Sequence, residues 1–241
     1  MYAELIFRKS GAGPIYPDQA RALVAKACDG VLINPALFNR DEHQKTLSAQ
    51  YGDFHDGEGF GVPPSILFDG GKDFVRIYGV GKKGVSILDE SAVTLFSALY
   101  RQGFNGVDRN DGVMTISSQN EGMRFYTIRR LVTAKSGQFS RAPVSEAAGE
   151  IARVILRGLT GVARMLDEDL HEDGAPRIHE AELPYRIDVL EGEPTPVEIK
   201  NGKYAAGYKN LVVAMPTKLV GPWATGYLRS RGYGYLRGAR S

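Results

Sequence analysis

The stretch GPWATGYLRSRGYGYLRG, residues 221–238, constrains this chain more than any other. Its glycines let the backbone approach a ligand closely and adopt positive φ, and successive turn N–H groups can point at phosphate oxygens. Arg229, Arg231 and Arg237 add guanidinium forks for bidentate phosphate contacts. Trp223, Tyr227, Tyr233 and Tyr235 offer ring faces to unstacked bases. The alternative is a β-hairpin whose glycines serve only turns and whose tyrosines are half core.

The net charge of +2 says little until it is divided along the chain. No Asp or Glu follows Glu198, whereas Lys200, Lys203, Lys209, Lys218, Arg229, Arg231, Arg237 and Arg240 contribute eight positive charges. Residues 1–198 hold 22 Lys and Arg against 28 Asp and Glu, a net −6. A basic end on an acidic body has the electrical layout of a polyanion-binding protein, which argues against a small-molecule α+β enzyme. Hydrophobic residues at 43% and charged residues at 24% are ordinary globular values, so the chain is expected to fold by its own packing. A single cysteine, Cys28, allows no internal disulfide, and no Cys/His cluster has zinc-ligand spacing. An intracellular, cytoplasmic setting is expected, with no metal. No run of about 18 apolar residues predicts a membrane span, and the N-terminus lacks a basic signal region.

Patterning predicts an α+β fold. Residues 2–8 alternate as a strand, and Pro17-Asp18 opens a helix with Ala20, Leu23, Val24 and Ala27 on one stripe, ending at Gly30. Residues 35–63 read as a long loop carrying Arg40, His43, Lys45 and His55. Strands at 65–68 and 74–78 flank Asp69-Gly70-Gly71 as a hairpin, and a helix is expected from Asp89 to Arg101 with Val93, Phe96, Leu99 and Tyr100 inward. Strands are predicted at 113–117 and 124–133. The first half thus has the β-α-β-β-α-β order of a ferredoxin-like lobe, residues 1–138. The second lobe, 139–241, opens on a long helix from Pro143 to about Leu170, with Val144, Ile151, Ile155, Val162 and Leu166 on one stripe. Strands are expected at 183–190, 197–200, 211–215 and within 232–237. The predicted architecture is two tandem ferredoxin-like (RRM-like) lobes with a helical insertion in the second and a C-terminal glycine-rich loop.

Secondary basic positions exist. Arg153 and Arg157 lie one helical turn apart, with Arg164 two turns further, and could follow a nucleic-acid backbone or pair with Glu146 and Glu150. Arg124, Arg129 and Arg130 sit on or beside a strand, where a sheet-face RNA contact and an ordinary exposed charge are both open. GVGKKG at 79–84 lacks P-loop spacing. His171 and His179, flanking Glu172, Asp173 and Glu180, read as solvated rather than metal-binding.

The run Gly226-Tyr-Leu-Arg-Ser-Arg-Gly232-Tyr233-Gly234-Tyr-Leu resembles the C-terminal glycine-rich loop and following strand of the CRISPR repeat-RNA endoribonucleases. The predicted lobe order is similar throughout. Arginine usage leans towards the type IV, arginine-dependent branch. The resemblance implies a partner in CRISPR repeat RNA or the mature crRNA, held by Gly226, Arg229, Arg231, Gly232, Tyr233, Gly234, Arg237 and Arg240. It also implies contact with other CRISPR effector-complex subunits. The implied reaction needs no metal or cofactor: a ribose 2′-OH attacks the adjacent phosphate. In many members a histidine at or after the first helix takes part. Here that helix holds Arg21 but no histidine, so His43 and His55 are the nearest acid or base, with Arg21 and Arg40 to stabilise charge. A histidine in a polar loop can equally be a solvated surface residue. The resemblance is also compatible with a non-catalytic subunit that caps one end of the crRNA.

Overall fold

The computed structural model describes residues 1–11, 13–38, 63–118, 122–134, 142–170, 178–200 and 203–239. The chain divides into two compact units, Met1–Val113 with Ser230–Gly232, and Met114–Arg229 with Tyr233–Ser241.

In the first unit the elements run β1 (Tyr2–Arg8), α1 (Pro17–Ala27), β2 (Ile66–Gly71), β3 (Phe74–Val80), α2 (Gly81–Tyr100) and β4 (Gly106–Gly112). Their sheet is antiparallel in the order β2-β3-β1-β4, the ferredoxin-like arrangement that the element order implied. Alternation sends Leu5 and Phe7 of β1 and their partners Ile77 and Val75 of β3 to one face. There they form a core with Ala20 and Val24 of α1 and Leu88, Leu95 and Leu99 of α2.

Three local expectations are corrected. The strand expected at 113–117 is present as Thr115–Ser118 but belongs to the second unit, and the fourth strand of this sheet is Gly106–Gly112. Its sequence GVDRNDG is almost wholly exposed and has no apolar alternation, and only its pairing with β1, from Tyr2↔Gly112 to Arg8↔Gly106, makes it a strand. Asp69-Gly70-Gly71 lies inside β2, and the hairpin turns instead at Lys72-Asp73, with Asp73 at φ 62°. Finally, α2 begins at Gly81, because a Cβ on either Gly79 or Gly84 would collide with the backbone and two glycines let strand and helix touch. That earlier start sets the inward stripe as Ile87, Leu88, Ser91, Leu95, Ala98 and Leu99. Val93, Phe96 and Tyr100, expected inside, face outward at 78%, 39% and 60% exposure.

The second unit contains β5 (Thr115–Ser118), β6 (Arg124–Val132), α3 (Val144–Leu170), the short α4 (Ile178–Ala181), β7 (Asp188–Lys200), β8 (Lys203–Met215), β9 (Thr217–Val220) and β10 (Arg237–Gly238). Its main sheet has the order β10-β6-β8-β7, and β5 pairs with β9 separately. In chain order the four strands of this sheet occupy the same places as those of the first. The helix α3 fills the first crossover, and its predicted stripe Val144, Ile151, Ile155, Val162 and Leu166 is buried. The second crossover, between β8 and β10, carries β9 and the glycine-rich segment where a ferredoxin-like lobe would place a helix. Whereas patterning assigned residues 124–133 to the first lobe, β6 hydrogen-bonds to β8 and β10 and belongs to the second unit.

At the end of α3, Asp167 is buried and accepts hydrogen bonds from the backbone N–H groups of His179 and Glu180, both at 2.9 Å. Its Oδ1 also lies 2.7 Å from His179 Nδ1. His179 is therefore an anchor of α4 and not the solvated side chain its polar neighbours suggested; His171 falls outside the described residues.

Candidate nucleic-acid interface

The glycine-rich segment is a folded ribbon. Trp223 is fully buried, and its indole N–H donates to the Val220 carbonyl at 2.9 Å. Leu236 N–H donates to Trp223 O at 3.0 Å and Thr225 N–H to Gly234 O at 3.0 Å, which joins residues 223–225 to 234–236 as two antiparallel strands bridged at Ala224 and Tyr235. Further backbone bonds hold the ribbon against β6: Gly234 N–H to Arg130 O at 2.8 Å and Tyr227 N–H to Val132 O at 2.9 Å. The hydroxyl of Thr225 donates to the α3 carbonyls of Ile155 and Val154, at 2.9 and 3.1 Å.

Two glycines are required by this geometry. Gly234 has φ 79°, and a Cβ there would fall on the Thr225 carbonyl. Gly226 has φ 74°, and its Cβ would stand 2.7 Å from Val132 O. Side chains are excluded by the scaffold beneath, so these residues act by shaping the ribbon.

Beyond Gly226 the chain turns through Leu228, at φ 59°, into a 3₁₀ turn of Arg229–Arg231. Ser230–Gly232 belong with the first unit, where Gly232 at φ 85° lies so close to Pro17, the first residue of α1, that a Cβ would meet the Pro17 carbonyl.

Arg229 carries the main electrostatic signal. Burial pushes its pKa down to about 10, and among the described residues its Nη1 has no hydrogen-bond partner. Arg229 as a whole is half-buried, so the cost falls on the enclosed Nη1: a desolvated guanidinium nitrogen without an acceptor is costly, and an anion reaching it would remove the cost.

A family model described as type IV CRISPR-associated endonuclease Csf5 matches residues 3–240. The chain belongs to this family. Among solved structures it is similar to "Csf5, CRISPR-Cas type IV Cas6 crRNA endonuclease", at 17% identity over 99% of both chains with a TM-score of 0.67. It is also similar to a crystal structure of Cas6b, at 12% identity over 99% of this chain and 100% of that one, with a TM-score of 0.62. At these identities the likeness is one of fold. Among curated proteins no match is found.

In this member of the Csf5 family the residues expected from the sequence fall into three groups by their place in the fold. Gly226, Arg229, Arg231, Gly232, Tyr233, Gly234 and Arg237 lie on or beside the ribbon and its turn. The rings of Tyr233 and Tyr235 are only 7% and 8% exposed, however, and Trp223 is fully buried. Stacking by these three is corrected: the rings pack into the protein, Tyr233 against Val132, Val197 and Ala205. On α3, Arg153 and Arg157 are exposed, and Arg153 Nε donates to Gly149 O at 3.3 Å. Arg164 departs from that row, since its Nε is held 2.7 Å from Glu180. In the first unit Arg21 donates from Nη2 to the Phe38 carbonyl at 2.7 Å, with its guanidinium 6.0 Å from the Phe38 ring centroid. It thereby fixes the 3₁₀ turn Pro35–Phe38, from which the chain continues towards Arg40, His43 and His55. Those three residues and Arg240 lie outside the described residues.

Sequence reasoning missed Thr225 and its partner glycine on α3, Gly158, whose Cβ would collide with the Thr225 side chain. No residue pattern signals a contact between a threonine and a helical glycine so far apart in sequence. Among the described residues no group of three or more His, Cys, Asp or Glu side chains could hold a metal ion, and no helix is long and apolar enough to cross a membrane.

Proposed function

We propose that this chain is a metal-independent endoribonuclease that cuts CRISPR repeat RNA to mature crRNA and keeps the product within an effector complex. The carrying observation is Arg229: a guanidinium desolvated at the turn of a glycine-rich ribbon, its Nη1 unpartnered among the described residues. A backbone phosphate is the ligand whose charge and geometry such a fork suits. Family membership supplies the reaction class, and the ribbon supplies a rigid frame for its arginines.

In this reading a ribose 2′-OH loses its proton to a base and O2′ attacks the adjacent phosphorus. The P–O5′ bond breaks and the departing oxygen takes a proton from an acid, leaving a 2′,3′-cyclic phosphate and a 5′-OH. His43 or His55 serves as acid or base, because imidazole alone titrates near neutrality without perturbation. Arg21 and Arg40 stabilise the charge that accumulates on the phosphorane oxygens, while Arg229 grips the RNA backbone. Arg231, Arg237 and Arg240 hold the strand, and exposed Arg153 and Arg157 add phosphate contacts along α3. Slow, single-turnover cleavage is sufficient for an enzyme that retains its product.

Incubating the purified chain with repeat RNA in EDTA tests this directly. Cleavage that a 2′-deoxy substitution at the scissile nucleotide abolishes is the expected result. Intact RNA that is nevertheless bound would overturn the enzymatic reading and leave a crRNA-capping subunit.

A further inference from the structure

We propose that the outer face of the second sheet is a further contact for a single-stranded stretch of RNA, with Phe125 as the stacking platform and Arg129 and Arg237 as the phosphate holders. This rests on the reading that the chain binds RNA, and extends the path of the strand from Arg237, at the end of the glycine-rich segment, onto β6.

The face is defined by strand alternation. On β6, Tyr126 and Ile128 point into the core at 4% and 0% exposure, so Phe125, Thr127 and Arg129 point the other way, and all three are exposed. Pairing puts Val212 of β8 beside Thr127 and Ala214 beside Phe125. On the other side β10 places Arg237 opposite Thr127, and Ala239 N–H donates to Phe125 O at 2.9 Å. An aromatic ring, 51% exposed, thus stands on an inner strand of a four-stranded sheet with an exposed arginine further along its own strand and another on the neighbouring edge.

Leaving a phenylalanine half-exposed forgoes burial of roughly 1 kcal/mol or more. A base is a fitting cover, since every base has a π-face and the flanking cations match its phosphates. Charge also sets the path. Glu191 of β7 faces the same side beyond β8, opposite Val212, and would repel a polyanion, whereas Asp188, opposite Ala214, is paired with Arg186 at 2.8 Å. The strand of RNA therefore runs over β6 and β10. A duplex is excluded as the ligand because its bases are already stacked on one another and cannot lie on the ring.

The test is fluorescence anisotropy of the full chain with two labelled RNAs, the repeat RNA and a short oligouridine. Phe125→Ala and Phe125→Leu are expected to weaken oligouridine binding about tenfold, as removal of one stacked base would. Phe125→Tyr is expected to hold it within about twofold of the parent. The leucine variant keeps an apolar side chain without a ring, and an unchanged melting temperature in all three excludes misfolding. Equal affinity of the Leu, Ala and Tyr variants for oligouridine would overturn the platform while the parent's binding of repeat RNA still stood. Failure of the parent chain to bind either RNA would overturn the RNA reading itself.

Discussion

Gly158 of α3 lies directly beneath Thr225 of the glycine-rich ribbon: a Cβ on Gly158 would fall on the Thr225 hydroxyl that donates to Ile155 O at 2.9 Å. The absence of one methyl lets the ribbon dock on the helix, and two helical carbonyls hold it there. Ala would ordinarily stabilise a helix over Gly by about 1 kcal/mol. At this position overpacking wins, and Gly158→Ala is expected to lower stability by about 1–3 kcal/mol. Thermal or urea unfolding measures it, and an equal or higher midpoint would show that the ribbon does not depend on this contact.

Arg229 should cost the free protein stability and return it on binding RNA. Arg229→Met is expected to raise the melting temperature without RNA, by the equivalent of about 1–3 kcal/mol, and to shrink the further rise that RNA produces. The pH dependence follows from the direction of the shift. The folded-state pKa, about 10, lies below the ordinary guanidinium value, so between the two the unfolded chain binds more protons and the parent gains stability as pH rises. The gap between parent and variant is expected to be full at pH 8 and to begin closing as pH passes about 10. A gap independent of pH, or a variant less stable than the parent, would remove the unpartnered cation as the cause.

Phosphate binding by the turn arginines has a salt signature. Replacing Arg229 and Arg231 together with alanine is expected to weaken repeat-RNA binding and to reduce the slope of log K against log salt by about 0.7 for each phosphate no longer neutralised. Unchanged affinity across a salt series would separate these arginines from the backbone.

Asp167 satisfies two backbone donors and one ring nitrogen at the start of α4. Asp167→Ala is expected to destabilise by about 1–3 kcal/mol, with faster hydrogen exchange concentrated over Ile178–Ala181. Uniform exchange across the second unit would mean the carboxylate supports the whole unit and not the short helix.

For the chemical step, His43→Ala is expected to slow single-turnover cleavage by about 100-fold or more while binding changes little. Equal loss of both, or of neither, would transfer the acid-base role to His55 or leave the arginines to act alone.

Much of this was legible from residue order. The stripe Val144, Ile151, Ile155, Val162 and Leu166 specifies α3 because side chains recurring at helical spacing share one face whatever they pack against. β1 and β3 are legible by the same reasoning with period two. β4 was not, because an exposed edge strand needs no apolar alternation and is made by its partner's hydrogen bonds. The face of α2 is not legible either, because amphipathic spacing gives a stripe only once the start is known, and the start depends on the contact between Gly79 and Gly84.

The glycine-rich segment divides the same way. By itself the sequence determined its charge, its freedom to turn and, through the run from Gly226 to Leu236, its family, since these are properties of composition and spacing. Only the tertiary structure decided that Trp223, Tyr233 and Tyr235 are core while Phe125 is surface. An aromatic ring is equally suited to a core or a base, and its place is set by which side of a paired strand the register sends it to, a relation among residues far apart in the chain.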